Sequence, residues 1–360
     1  MEQTENKQTK NKQTKKKPII PAIISGILII GAIIFLIWFN SPFQVIKRAI
    51  EKSDIATVSE NYYKLEESEE RKYVKKEMMS FIEAQNEQFI AGTLDYDSYS
   101  YYLESLGKEI LEKDDEFQKI KNNAEILNES RNNFQTATEL FEAGDYAGAI
   151  EYYDLVNEID QNYETARSQL VLSKEMQLVG TWKVRGDLGP LMADGEENFY
   201  GCSFPVDLLI TFNDDGTGTV DIDTTIITDN ERDKFWEKVA DNTYYYYWSN
   251  FFKKGYNLED IISASGYDSF ADFLRGETDL ESSIDQVVSD MRITMKGVEF
   301  TYYYDEKLII DYDVNGKESI IKYEYSIDED TNNLNLVSQS EGDIFTILSI
   351  KLPCVLNKVE

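Results

Sequence analysis

Three hydrophobic patterns follow one another along the chain, and each predicts a different kind of structure. From Pro18 to Phe39 runs a charge-free stretch, PIIPAIISGILIIGAIIFLIWF. At the helical rise of 1.5 Å per residue it reaches about 33 Å, enough for a hydrocarbon core of roughly 30 Å. Beyond Pro42 the apolar positions recur at helical spacing: Val74, Met78 and Ile82; Tyr99, Leu103, Leu106 and Ile110; Phe117, Ile120, Ala124 and Leu127. Turn and cap residues at Ser53-Asp54, Ser68, Gly92 to Asp97, Lys113 to Asp115 and Gly144-Asp145 cut this region, residues 42–176, into about eight helices joined as antiparallel hairpins. At Leu178 the period changes to two. Apolar residues alternate along 178–185, 206–212, 220–223, 298–304, 308–314, 321–327 and 334–336, with turns at Asn213 to Gly216 and at Asn315-Gly316. With the apolar run Phe345 to Leu352 taken as the last strand, the count is eight in a meander, which suits an up-and-down barrel. Residues 228–296 interrupt it as a helical insertion of three segments: 230–252, 267–276 and 280–291.

Charge orients the first element. Residues 1–17 carry six lysines against Glu2 and Glu5, whereas the whole chain has a net charge of −31. A lysine excess before the apolar run places the N-terminus on the cytoplasmic side, residues 18–39 in the lipid bilayer as one transmembrane helix, and residues 43–360 outside. Lys47 and Arg48 on the far flank are too few to reverse this. A cleaved signal peptide has a shorter apolar core and a small-residue cleavage site, and the WFNSPFQ that follows has neither that site nor a lipoprotein cysteine. So acidic an outer region repels phosphate backbones and anionic lipid headgroups, and nucleic acid is not expected as a partner. Lysine, isoleucine, asparagine and tyrosine are abundant and arginines few, a composition typical of an AT-rich bacterial genome.

One helical hairpin is more specific. Residues 133–166, NFQTATELFEAGDYAGAIEYYDLVNEIDQNYETA, resemble a tetratricopeptide repeat. Ala137 and Ala149 take the small positions where its two helices approach, Gly144-Asp145-Tyr146 the turn, and Tyr153 the aromatic position. Asn133 and Gln161 depart from the usual aromatic and proline. A weaker echo lies at 91–106. The resemblance implies a helical scaffold whose groove binds a peptide or a protein; the plainer alternative is a spacer between membrane and barrel.

Gly180-x-Trp182 at the head of eight meandering strands resembles the lipocalin-like domains, here spanning 177–360. In that family the tryptophan closes the barrel floor and the interior holds a small apolar ligand. The resemblance therefore implies Trp182, Tyr302, Tyr312 and Tyr323 as ligand-lining positions. The family's arginine that packs on the tryptophan from near the chain end is missing, with Lys351 the available cation. A filled interior is the alternative, since Tyr302, Tyr304, Tyr312, Tyr323 and Tyr325 are large enough to occupy it.

Candidate chemistry is sparse. There is no histidine, which removes histidine triads, HExxH zinc sites and imidazole shuttles, and two cysteines make no zinc cluster alone. Asp328, Asp330 and Asn332 echo the start of a calcium loop, but Asn333 and Gln339 stand where it needs glycine and glutamate, and the segment reads as a hairpin turn. Asp214-Asp215 and the pair Asp221 and Asp223 offer carboxylates to an enzyme acting on envelope polymers, or else are acidic turns and solvent faces. Tyr244 to Tyr247 with Trp248 offer rings to a sugar, or else pack the insertion on the barrel mouth. No catalytic residue, metal or cofactor is expected. The function expected is that of a membrane-tethered binding or scaffold protein. Cys202 precedes the second strand and Cys354 follows the eighth, so the two thiols are expected at opposite ends of the barrel and unbonded.

Overall fold

The computed structural model describes residues 30–65, 69–108, 110–192, 199–314, 317–328, 330–338, 345, 348 and 350–359. It divides into two compact units, residues 1–131 and 132–360.

In the first unit the described helices are α1 (Ile30–Phe39), α2 (Pro42–Glu51), α3 (Ile55–Tyr62), α4 (Glu69–Ile90), α5 (Tyr96–Gly107) and the first half of α6 (Asp115–Glu142). Asp54 and Asp95 start α3 and α5 by accepting the backbone N–H of Thr57 and Ser98, the usual remedy for unpaired first-turn donors. The helical spacing read from the sequence is the buried stripe: Val74, Met78, Ile82, Tyr99, Leu103, Leu106, Phe117 and Leu127 share one core. Arg131 donates to the carbonyls of Phe89 and Ile90 at 2.9 and 2.8 Å, satisfying the end of α4. Residues 18–29 of the apolar run and the break at Ser68 lie outside the described residues. No single described helix is long and apolar enough to cross a membrane; α1 and α2, bent by 56°, pass that test only as a pair. Every large apolar side chain of α1 is exposed. Between Pro42 and Leu178 the described residues form seven helices where about eight were expected, and α6 runs unbroken for 28 residues.

In the second unit, the end of α6, α7 (Tyr146–Asp154) and α8 (Tyr163–Leu178) pack around Ala137, Ala149, Tyr153 and Ala166. Eight antiparallel strands follow: β1 (Gly180–Asp187), β2 (Pro205–Phe212), β3 (Thr217–Asp223), β4 (Val298–Asp305), β5 (Lys307–Val314), β6 (Lys317–Asp328), β7 (Asn333–Ser338) and β8 (Cys354–Lys358). They pair in sequence order and close through β8 against β1, a meander barrel as the alternation predicted. A four-residue helix, α9 (Gly189–Met192), lies between β1 and β2. The insertion holds α10 (Asp229–Lys253), α11 (Leu258–Ala264), α12 (Phe270–Glu277) and α13 (Leu280–Thr294), so four helices replace the three expected.

The last strand is a correction. The described residues of 345–352 are not in a strand, and β8 is the less apolar Cys354–Lys358. Phe345 and Leu348 are buried as a plug. Leu348 crosses over the end of β1, where a Cβ on Gly186 would stand 2.9 Å from its own, and its carbonyl accepts the Asp187 N–H at 2.9 Å. The apolarity of this run serves packing across the barrel end, not strand alternation.

Candidate functional site

Alternation fixes what the barrel encloses. On β1 to β3 the residues facing in are Trp182 and Val184, then Val206, Leu208, Ile210 and Phe212, then Val220 and Ile222, all buried in one continuous apolar cluster. The expected positions Tyr302, Tyr312 and Tyr323 join that cluster, with 4%, 8% and 1% exposure. Tyr325 packs against it from one end. The structure thus brings Trp182, Tyr302, Tyr312 and Tyr323 into a common interior. There they meet other protein side chains: Phe212 lies edge-on to Phe300 at 5.4 Å and to Tyr302 at 4.9 Å, and Tyr323 edge-on to Phe345 at 6.0 Å. Room for this comes from β3, where Gly218 lies directly beneath the Phe300 ring. An eight-stranded barrel is just wide enough for its own side chains to fill.

One end is closed by α8. Trp182 Nε1 donates to the Leu178 carbonyl at 2.6 Å, which anchors the first strand to the last turn of the helix. Lys174 Nζ sits 4.3 Å over the Tyr304 ring, and its carbonyl accepts the Tyr325 hydroxyl at 2.8 Å. Glu175 accepts the Tyr304 N–H at 2.9 Å. Tyr302 donates to the Asn213 carbonyl at 2.5 Å. Burial, with Glu175, Asp215 and Asp214 nearby, pushes the Tyr302 hydroxyl up to about 12; burial raises Tyr325 as well.

The cation on the tryptophan is Lys358, not Lys351. Its Nζ lies 5.1 Å over the Trp182 ring, and β8 places it opposite Trp182 in register. Gly180 explains itself here: its φ is +126°, and a Cβ would stand 3.0 Å from Lys358 Cε. The misplaced eighth strand hid this residue; the signal that finds it is the strand register.

The insertion closes the other end. Phe235, Trp236, Val239 and Ala240 of α10 are buried in the barrel cluster beside Phe199 and Phe204. Trp236 Nε1 donates to Glu281 at 2.6 Å, and Arg232 bonds Glu281 at 2.9 Å and Asp285 at 2.8 Å, which ties α10 to α13. The tyrosine run packs the mouth much less than expected: Tyr247 is half-buried, while Tyr244, Tyr245 and Tyr246 are exposed.

A cleft of ≈ 570 Å³ lies where the α6–α7 turn meets the α8 end of the barrel. Gly144 to Ala147, Met176, Gln177, Val179, Ile327, Asn332 and Lys358 line it. Asp145, Lys358, Gln177 and Asn332 bring one carboxylate, one ammonium and two amides to its lining, among the apolar Ala147, Met176, Val179 and Ile327.

Three of the four residues in the acidic pairs hold turns and strand ends. Asp215 accepts the Thr217 N–H at 3.0 Å, Asp223 the Thr225 N–H at 2.8 Å and Asp221 the Gly297 N–H at 2.8 Å. The threonine hydrogen bonds hold Asp215 and Asp223 below the usual carboxylate range, the wrong direction for a proton donor. Asp328 accepts from Thr331 in the β6–β7 turn, as a hairpin reading requires. Among the described residues no group of three or more Asp, Glu or Cys side chains is placed to hold a metal ion.

Cys202 and Cys354 are both buried thiols, not joined by a disulfide. They lie at the same end of the barrel, since Cys202 precedes β2 and Cys354 opens β8. This corrects the expected separation.

Comparison with protein-family models, with curated proteins and with solved structures gives no match.

Proposed function

We propose that the chain is a membrane-tethered extracytoplasmic scaffold. Its N-terminal run crosses the bilayer with the lysine-rich tail inside, and the cleft beside the α6–α7 turn engages a peptide or protein segment. The observation that carries this reading is the barrel itself. Its interior is occupied by Phe212, Phe300, Tyr302, Tyr312 and Tyr323, and helices cover both ends. Such a barrel is a rigid body that presents its outside, rather than a lipocalin-like carrier with a ligand chamber. The cleft suits a peptide, because the amides of Gln177 and Asn332 match a backbone and Ala147, Met176, Val179 and Ile327 offer contacts to an apolar side chain. The tether is supported by the 18–39 run and by the exposed apolar face of α1.

Two measurements test it. Protease added to intact cells is expected to degrade residues 43–360 and spare the tail; protection of the outer region overturns the placement. A panel of lipophilic fluorescent probes is expected to show no saturable binding to the full-length protein. Saturable binding with a change in Trp182 emission overturns the filled barrel and restores the carrier.

A further inference from the structure

The end of α10 and its exit, residues 242–256, read NTYYYYWSNFFKKGY: eight aromatic residues, two lysines and no acidic residue, in a chain of net charge −31. Core packing accounts for few of these rings. Tyr247 and Phe251 pack partly inward. Tyr245, Tyr246, Phe252 and Tyr256 are 75%, 67%, 65% and 59% exposed, and Lys253 and Lys254 beside them are also exposed. Tyr245, Trp248 and Phe252 share one stripe of the helix, at i, i+3 and i+7. Their rings stack in series: Tyr245 on Trp248 at 5.9 Å and 26°, Trp248 on Phe252 at 5.1 Å and 12°.

A contiguous exposed aromatic patch marks a docking surface, and the stacking decides for what. A sugar site holds an open ring face, whereas here Trp248, the largest ring, is stacked with both Tyr245 and Phe252. What is left exposed is a run of phenol and phenyl rings, Tyr245, Tyr246, Phe252 and Tyr256. These amphipathic groups partition to the boundary between headgroups and acyl chains. Lys253 and Lys254 supply the positive charge that anionic headgroups attract, and residues 242–256 themselves carry no carboxylate, the flanking ones being Asp241 and Glu259. We propose that this face of α10 docks on a bilayer surface carrying anionic headgroups, with Tyr245, Trp248 and Phe252 at the boundary and Lys253 and Lys254 against the phosphates. The contact is separate from the N-terminal tether and does not depend on it.

Tryptophan quenching tests both contacts independently. Trp182 and Trp236 are buried and out of reach of a collisional quencher in the lipid, whereas Trp38 and Trp248 are exposed. Full-length protein is reconstituted in phosphatidylglycerol–phosphatidylcholine vesicles with brominated acyl chains. In Trp38→Phe protein the Trp248 emission is expected to lose most of its intensity. The loss is expected to shrink in the Lys253→Glu, Lys254→Glu double variant and in vesicles of phosphatidylcholine alone. Trp248→Phe protein reports the tether through Trp38 alone, so failure of the tether leaves the Trp248 result interpretable. Trp248 emission unchanged by brominated lipid but quenched by aqueous acrylamide overturns the proposal. A response of Trp248 to soluble aminosugar oligosaccharides, without one to lipid, overturns it in favour of a glycan site.

Discussion

Replacing Gly218 by alanine asks whether the barrel is filled. A Cβ there would stand 2.2 Å from Phe300 Cζ, 2.5 Å from Phe300 Cε2 and 2.5 Å from the Thr211 carbonyl oxygen. Ordinary carbon contacts begin near 3.5 Å, so the Phe300 ring must retreat by about 1.3 Å. It has nowhere to go while Phe212 lies edge-on at 5.4 Å and Tyr302 fills the adjoining space. Overpacking of this kind costs about 1–3 kcal/mol. The lost chain entropy of glycine returns about 0.4–1 kcal/mol. The overlap is severe, so the net loss is expected near 2 kcal/mol. In a hollow barrel the ring would swing inward and only the Thr211 contact would remain.

Phe300→Leu separates the two outcomes, because it removes the ring and leaves the Thr211 contact unchanged. In a filled barrel the double variant is expected to be more stable than the two single losses predict, by about 1 kcal/mol or more. Hydrogen exchange of the β2 and β3 amides in the full-length protein reads this locally. A loss of 2 kcal/mol appears as roughly 30-fold faster exchange. Additive single and double variants would refute the packing argument and, with it, the main support for a closed scaffold.

Lys358→Ala removes the cation over Trp182 and is expected to cost about 0.5–1 kcal/mol, while Lys358→Arg keeps most of that and Lys351→Ala costs nothing measurable; thermal melts followed by Trp182 emission check this. Tyr302 titrates near 12 folded and near 10 unfolded, so its contribution is complete below pH 10 and lost as pH rises from 10 to 12. That loss is worth up to about 2–3 kcal/mol; Tyr325 and Tyr99, also raised by burial, act in the same direction, and a flat stability profile from pH 9 to 12 counts against their burial. Burial pushes the Cys202 thiol up to about 11, against the pull of Lys238, so it is expected to resist thiol reagents at neutral pH until the protein is unfolded. Mass spectrometry of non-reduced protein should show no Cys202–Cys354 peptide.

Much of this architecture is legible as spacing. Val74, Met78 and Ile82 mark a buried helix face, and Val206 to Phe212 alternate as a strand does, because each pattern is the imprint of one backbone period on one core. Short elements leave weaker imprints. α11 has seven residues and announces itself only through Asn257, which accepts the Glu259 N–H. The tyrosine run shows a different limit: aromatic residues read as core by composition, yet Tyr245 and Tyr246 face solvent. Composition tells how apolar a segment is, not which of two apolar environments takes it.

Strand eight shows how one misplacement spreads. In a closed meander with an even number of strands, every even strand runs in the same direction, so whatever opens an even strand lies at one end and whatever follows it lies at the other. Phe345 to Leu352 is the more apolar segment, and choosing it sets Cys354 after the last strand, at the α8 end. The strand is Cys354–Lys358, in which only Cys354 and Leu356 alternate inward, two positions being too few to stand out. That shift moves Cys354 to the capped end, the end at which Cys202 precedes β2, and brings Lys358 to the α8 end over Trp182. Topology therefore no longer keeps the thiols apart. The two are not bridged, and Cys202 is held locally: its backbone is pressed against Gly189, where an added Cβ would come within 2.0 Å of the Cys202 carbonyl oxygen, and its sulfur lies 4.0 Å from the Asn242 amide. A backbone pinned in this way resists the movement a bridge would require.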